Sequence, residues 1–175
     1  MAAQPAPRQT PLRMMLFNAL RFEAGWLLCV LGGSWVAALT GAVLLGWHFW
    51  RCAQPGEWRF IAAFALLGLV LDGGLHLAGG FDFGEQTLIA GLLPLWLWML
   101  WPLFATLVFH SLVWLWRYPL VAAVCGAISG PLSYLGGAAL ANVSLAPWLL
   151  PAQAVIWAAL CWGISRYIQR LAASD

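Results

Sequence analysis

The chain has 175 residues, 63% of them hydrophobic and 8% charged, with eight arginines, no lysine and six acids for a net charge of +2. A water-soluble domain carries about 25% charged residues, so this composition excludes one, and a mean hydropathy of +0.85 points to lipid as the solvent. The length fits a single domain, and no nucleic-acid partner is expected.

Residues 1–13 are polar and proline-rich and read as a disordered cytoplasmic tail. A membrane span needs about 20 apolar residues. Downstream of residue 58 four apolar blocks separate cleanly, over 59–79, 87–116, 119–141 and 147–167. The block 12–50 before them would be roughly 58 Å long as one helix, about twice the hydrocarbon thickness. A straight helix is therefore excluded, and arginine placement chooses between the alternatives.

Cytoplasmic loops hold the excess of basic residues. If the block turns at Gly32, Gly33 and Ser34 into a hairpin, Arg8, Arg13, Arg51, Arg59, Arg117, Arg166 and Arg170 all fall on one side, and the opposite side carries Asp82 and Glu85 alone. A single span there scatters the arginines across both faces. The expected fold is thus an all-α membrane protein, a six-transmembrane-helix bundle with short loops. Its helices run over about 14–32, 35–50, 59–79, 87–116, 119–141 and 147–167, followed by a cytoplasmic tail at 168–175. That topology implies a multi-pass protein of the bacterial inner membrane with both termini cytoplasmic.

The fourth predicted helix exceeds a perpendicular span. Pro94 and Pro102 bracket a tryptophan-rich piece, 95–101, which predicts a kink near Pro102 or a part lying flat, with the tryptophans forming a belt at headgroup level. In the fifth, Gly126 and Gly130 make the G-x-x-x-G spacing that lets helices approach closely in lipid. Pro131 there leaves a carbonyl one turn earlier without its usual donor. Packing is the plainer reading of this stretch and a break lining a pore the sharper one. Cys29, Cys52, Cys125 and Cys161 lie too far apart for a metal or disulfide pattern, and inert buried thiols are expected.

A charged side chain at mid-membrane costs about 2.5–3.5 kcal/mol on insertion scales, so each such residue is a candidate for function. The topology sorts them into two layers. The inner layer holds Asn18, Arg21, Glu23, His110 and Ser111, with His48 read as interfacial. Arg21 either finds an acceptor such as Glu23 through bending or a neighbouring helix, or snorkels to the headgroups. The outer layer holds Asp72, His76, Ser133, Tyr134 and Gln153. Asp72 and His76 stand at i and i+4 on one helical face. Such a pair serves as a structural hydrogen bond, a proton relay or half of a metal site. Without further ligands no metal is expected, and no cofactor. No nucleotide-binding, hydrolase or metalloprotease motif is present.

Asn18 through Gly32 (N-x-L-x-F-x-x-G-W-L-x-C-V-L-G), Leu71 and Asp72, Pro94 to Leu97 with Leu100 and Trp101, Phe104 to Thr106 with His110 and Ser111, and Gly130 to Tyr134 together resemble a small bacterial integral membrane family catalogued as domain of unknown function 2878. The likeness covers about residues 17 to 167. It implies a six-helix inner-membrane protein in which Asn18, Asp72, His110, Ser111, Pro131 and Tyr134 are the matching polar or special positions. It assigns no activity, and it implies that Arg21 is peculiar to this chain.

The favoured function is non-catalytic handling or transport of a small lipophilic or proton-coupled solute, with membrane lipids and either a homodimer or a partner membrane subunit as company. The alternative is an intramembrane enzyme or accessory subunit in membrane-lipid modification. Haem ligation by two histidines is a third reading.

Overall fold

The first helical element, α1 (Leu12–Arg51), is broken at Gly33, whose φ of 69° and ψ of −168° lie where only glycine is unstrained. The two arms fold back on one another. The Arg21 Nη2 group donates to the Leu44 carbonyl at 3.1 Å, although in one straight helix those residues would be about 35 Å apart. The turn falls where the sequence places it. In this computed structural model the described residues are 11–84, 86–87 and 92–174. The expected tail at 1–13 lies outside them up to residue 10, and Leu12 and Arg13 are already helical.

Four further helices follow: α2 (Glu57–Leu77), α3 (Leu95–Val108), α4 (Pro119–Ala141) and α5 (Leu149–Ser174). Two short strands, β1 (Phe81–Asp82) and β2 (Ser144–Leu145), pair antiparallel and clasp the loop after α2 to the loop after α4. The chain is all-α in its helical content, and α1, α2, α4 and α5 are long and apolar enough to cross a membrane.

The fourth predicted helix is corrected most. Residues 88–91 lie outside the described set, and α3 starts at Leu95 and has 14 residues, about 21 Å of helix. Its first free N–H, that of Leu95, is met by the Ser34 hydroxyl at the tip of the α1 hairpin, 3.2 Å away. Its last carbonyls are met from outside. The Trp116 indole donates to Val108 O at 2.7 Å, and the Gln54 amide reaches Phe109 O at 3.4 Å. With its free carbonyls satisfied, the chain leaves the helix at Phe109 and turns into a 3-10 segment, Leu115–Arg117. Pro102 lies inside the continuous helix. Trp96 and Trp101 are buried rather than arranged as a belt, because α3 is the central helix of the bundle. At the other end, α5 continues to Ser174, so the expected tail is mostly helix.

Core packing divides into two clusters. One gathers Ile61, Phe64, Trp101, Phe109, Trp116 and Ile164, and the other Cys29, Val30, Phe81, Phe83, Trp96 and Leu149. Large apolar side chains face outward, with Trp35, Leu77 and Leu120 each more than three-quarters exposed, a surface that water does not tolerate. Gly126 and Gly130 lie flat against α5. A methyl group at Gly126 would meet the Trp157 backbone oxygen and Cys161, and one at Gly130 the Trp157 side chain. The glycine stripe thus packs against α5 inside the chain. Pro131 lies within an unbroken α4.

Candidate functional site

Helix α1 packs chiefly on α3, and α4 chiefly on α5. A cavity of about 650 Å³ lies between these pairs, reaching from Ala19, Ser111 and Leu115 at one end to Phe81, Val143 and Leu145 at the other. Its walls are mostly aromatic and aliphatic: Trp26, Trp96, Trp101, Phe104 and Trp157 face it. Trp101 and Trp157 stack with ring centres 5.2 Å apart. The few polar groups in the lining include Glu23, Ser111, Ser129, Ser133 and Tyr134. Size and lining match ligand pockets, which are apolar clefts of about 300–1,000 Å³ with a few placed polar groups. The β1–β2 clasp brings Phe81 and Leu145 over one end.

Behind this wall Asp72 is fully buried. Its carboxylate accepts from Trp101 Nε1 at 2.7 Å, from the Tyr134 hydroxyl at 2.8 Å and from Gln153 Nε2 at 3.3 Å. Four helices, α2, α3, α4 and α5, therefore meet at one side chain. Of the five outer-layer candidates, Asp72, Tyr134 and Gln153 come together here, and Trp101 joins them unforeseen. His76 does not. Its Nδ1 lies 3.3 Å from Phe81 O, and because a carbonyl only accepts, that nitrogen carries the proton. Asp72 does not line the cavity; it holds two residues that do, Trp101 and Tyr134. The i, i+4 pairing fails because the carboxylate turns to three donors on other helices.

The remaining candidates disperse. Ser133, exposed in the cavity wall, accepts from Trp26 Nε1 at 3.1 Å and so bridges α1 and α4. Asn18 is buried and donates to Thr106 O at 3.1 Å. Ser111 donates to Met15 O at 2.7 Å. Arg21 neither pairs with Glu23 nor only snorkels. Besides the Leu44 carbonyl it has the Phe17 and Trp47 rings within 6 Å of its guanidinium, while Nη1 is buried without a partner among the described residues. Glu23 is exposed and has no polar partner among the described residues. Of the cysteines, Cys29 and Cys161 are buried as expected, Cys52 is half-buried, and Cys125 is exposed and faces the cavity.

A second cluster went unforeseen. The turn after α1 and the start of α2 bring His48 and Glu57 together, and the turn after α3 adds His110. His48 Nε2 is 2.8 Å from Glu57 Oε1, and His110 Nε2 is 3.1 and 3.2 Å from the two carboxylate oxygens. The Gln54 backbone N–H donates to Glu57 Oε2 at 2.8 Å. His48 and Glu57 are fully buried. Asp82, by contrast, is exposed in its loop as expected, and Glu85 lies outside the described residues.

An all-α chain with four helices fit to cross a bilayer, an apolar outer surface and an internal aromatic cavity has the architecture of a helical membrane protein. It belongs to the family described as protein of unknown function DUF2878, whose model matches residues 15–163. No curated protein and no solved structure matches it.

Proposed function

We propose that the chain is an integral protein of a bacterial inner membrane that holds a small lipophilic molecule, without chemical change, in the cavity between α1, α3, α4 and α5. Six crossings with both termini cytoplasmic are part of this reading. They count the two arms of α1 separately, about 31 and 27 Å long, and allow the short α3 to complete its depth with the turns that follow it. Support for the orientation comes from Arg51, Arg59 and Arg117, which sit at helix ends that the hairpin puts on one side, with Arg166 and Arg170 in the last third of α5 on the same side.

The observation that carries the reading is the cavity itself: about 650 Å³, aromatic-walled, and running between the two ends of the bundle. An empty space so lined would be filled by lipid tails, or by a ligand of the same apolar character. The fixed Trp101 and Tyr134 rings give it a shaped wall. The test is photo-crosslinking of the purified protein in bilayers with a diazirine-bearing single-chain lipid. Label should fall on α4 and α5 peptides facing the cavity. Ser129→Trp, placed in the lining, should remove it, and Leu120→Trp on the outer surface should not. Label spread evenly over the outer surface, unaffected by Ser129→Trp, would remove the reading.

One observation favours the second reading, an enzyme or accessory subunit in lipid modification. Glu23 lines the cavity and its carboxylate has no polar partner among the described residues, which leaves it available to a bound polar group. An altered lipid profile in a Glu23→Gln strain would support it, and an unchanged profile would end it.

A further inference from the structure

We propose that His48, Glu57 and His110 form a binding site for one divalent transition metal of the zinc class. The site stands apart from the cavity, whose lining includes none of the three. Their ligand atoms all lie within 4.8 Å of one another. Two imidazole nitrogens and a carboxylate are a donor set that zinc accepts, at about 2.0–2.2 Å from each donor. A tetrahedral ion at that distance needs donors roughly 3.3 Å apart. At Glu57 Oε1 the two imidazole nitrogens stand 2.8 and 3.1 Å away, so each needs to move back by only a few tenths of an ångström, and the two nitrogens lie within 4.8 Å of one another.

Burial adds a second argument. The His48 ring has no exposed surface, and its Nδ1 has no partner among the described residues. Among the described residues its side chain bonds only through Nε2 into this cluster. The ring is thus placed for what Nε2 touches. Glu57 is equally sealed, and its carboxylate is shared between the two imidazole rings. The Gln54 N–H on Oε2 fixes the carboxylate's orientation, the outer-sphere support that metal ligands usually have. His110 is 12% exposed, so the fourth position of the ion opens there to water or to a small ligand. On binding, each ring ligates through the Nε2 lone pair, its proton residing on Nδ1.

The test is titration of the full-length protein, purified in detergent and stripped with chelator, with cobalt(II) and then zinc. One equivalent of cobalt should bind, giving the strong visible absorption of a low-coordinate centre, and zinc should displace it. Glu57→Gln and His110→Asn should each weaken binding by at least the roughly 10–100-fold that loss of an outer-sphere partner costs. His76→Ala should bind as the wild type does. His110 is at the rim, so its variant keeps the comparison available if Glu57→Gln does not fold. The proposal is overturned if the wild type binds neither metal stoichiometrically, which would leave a hydrogen-bonded triad only. It is equally overturned if His110→Asn binds unchanged, or if His76→Ala loses binding as much as His110→Asn does.

Discussion

Replacing Asp72 by asparagine and by leucine should give sharply different proteins. The carboxylate accepts from three donors on three helices. Unfolding within the bilayer leaves residue 72 at the same depth, so the cost of inserting its charge largely cancels and the contacts decide. Leucine strands the Trp101 N–H, the Tyr134 O–H and the Gln153 N–H together. Hydrogen bonds between membrane helices average about 0.6 and reach about 1.7 kcal/mol, so the three amount to roughly 2–5 kcal/mol. Asparagine can keep an oxygen on Trp101. Its amide N–H₂ then faces the Tyr134 hydroxyl, which can rotate to accept, and Gln153, whose Oε1 has no partner among the described residues and becomes available by a flip. The expected loss for Asp72→Asn is therefore about one such bond, under roughly 2 kcal/mol. Heating the detergent-solubilised protein with a fluorescent tag and following the monodisperse fraction by size exclusion measures both. A leucine variant as stable as wild type, or an asparagine variant as unstable as leucine, would show that Asp72 does not tie the helices together.

Three other outcomes follow from local geometry. Gly33→Ala meets no atom within 4 Å but must hold a positive φ, so it should lose about 1–3 kcal/mol through strain alone, seen as a lower midpoint in the same heating assay. Gly126→Ala presses a methyl group against the α5 backbone at Trp157 and should cost about 1–3 kcal/mol, whereas Gly73→Ala, in open space, should be neutral or slightly stabilising. A membrane-permeant maleimide should modify Cys125, which faces the cavity, and spare the sealed Cys29. Mass spectrometry of the labelled peptides decides this, and preferential loading of Cys29 would contradict the packing.

The features legible in the sequence were those fixed by solvent and by single residues. Apolarity gave the helices, and the pair Gly32 and Gly33 with the arginine distribution marked the turn. Depth alone grouped Asp72 with Tyr134 and Gln153. What stayed hidden depends on direction. His76 lies at the spacing that usually pairs with Asp72, yet the Asp72 carboxylate turns inward to Trp101, and nothing in the sequence states that turn. The tryptophan-rich stretch carries the composition of a headgroup belt, and only its position at the centre of the bundle makes Trp96 and Trp101 core residues. Glu57 follows a Pro-Gly pair beside Arg59 and so looks like an exposed loop charge. It is recognisable as a partner of His48, nine residues earlier, only once the turn between α1 and α2 is known, and of His110 only once α3 is known to stop at Val108.

The one-residue turn at Gly33 also limits how this molecule can be interrogated or engaged. With its neighbour Ser34 committed to the first amide of α3, that end of the hairpin offers no loop to carry an epitope, a protease site or a reporter. Insertions there would pull the hairpin and the central helix apart at once. Residues 52–56, between α1 and α2, flank the His48 and Glu57 cluster and are little better. Orientation reporters therefore belong away from both turns.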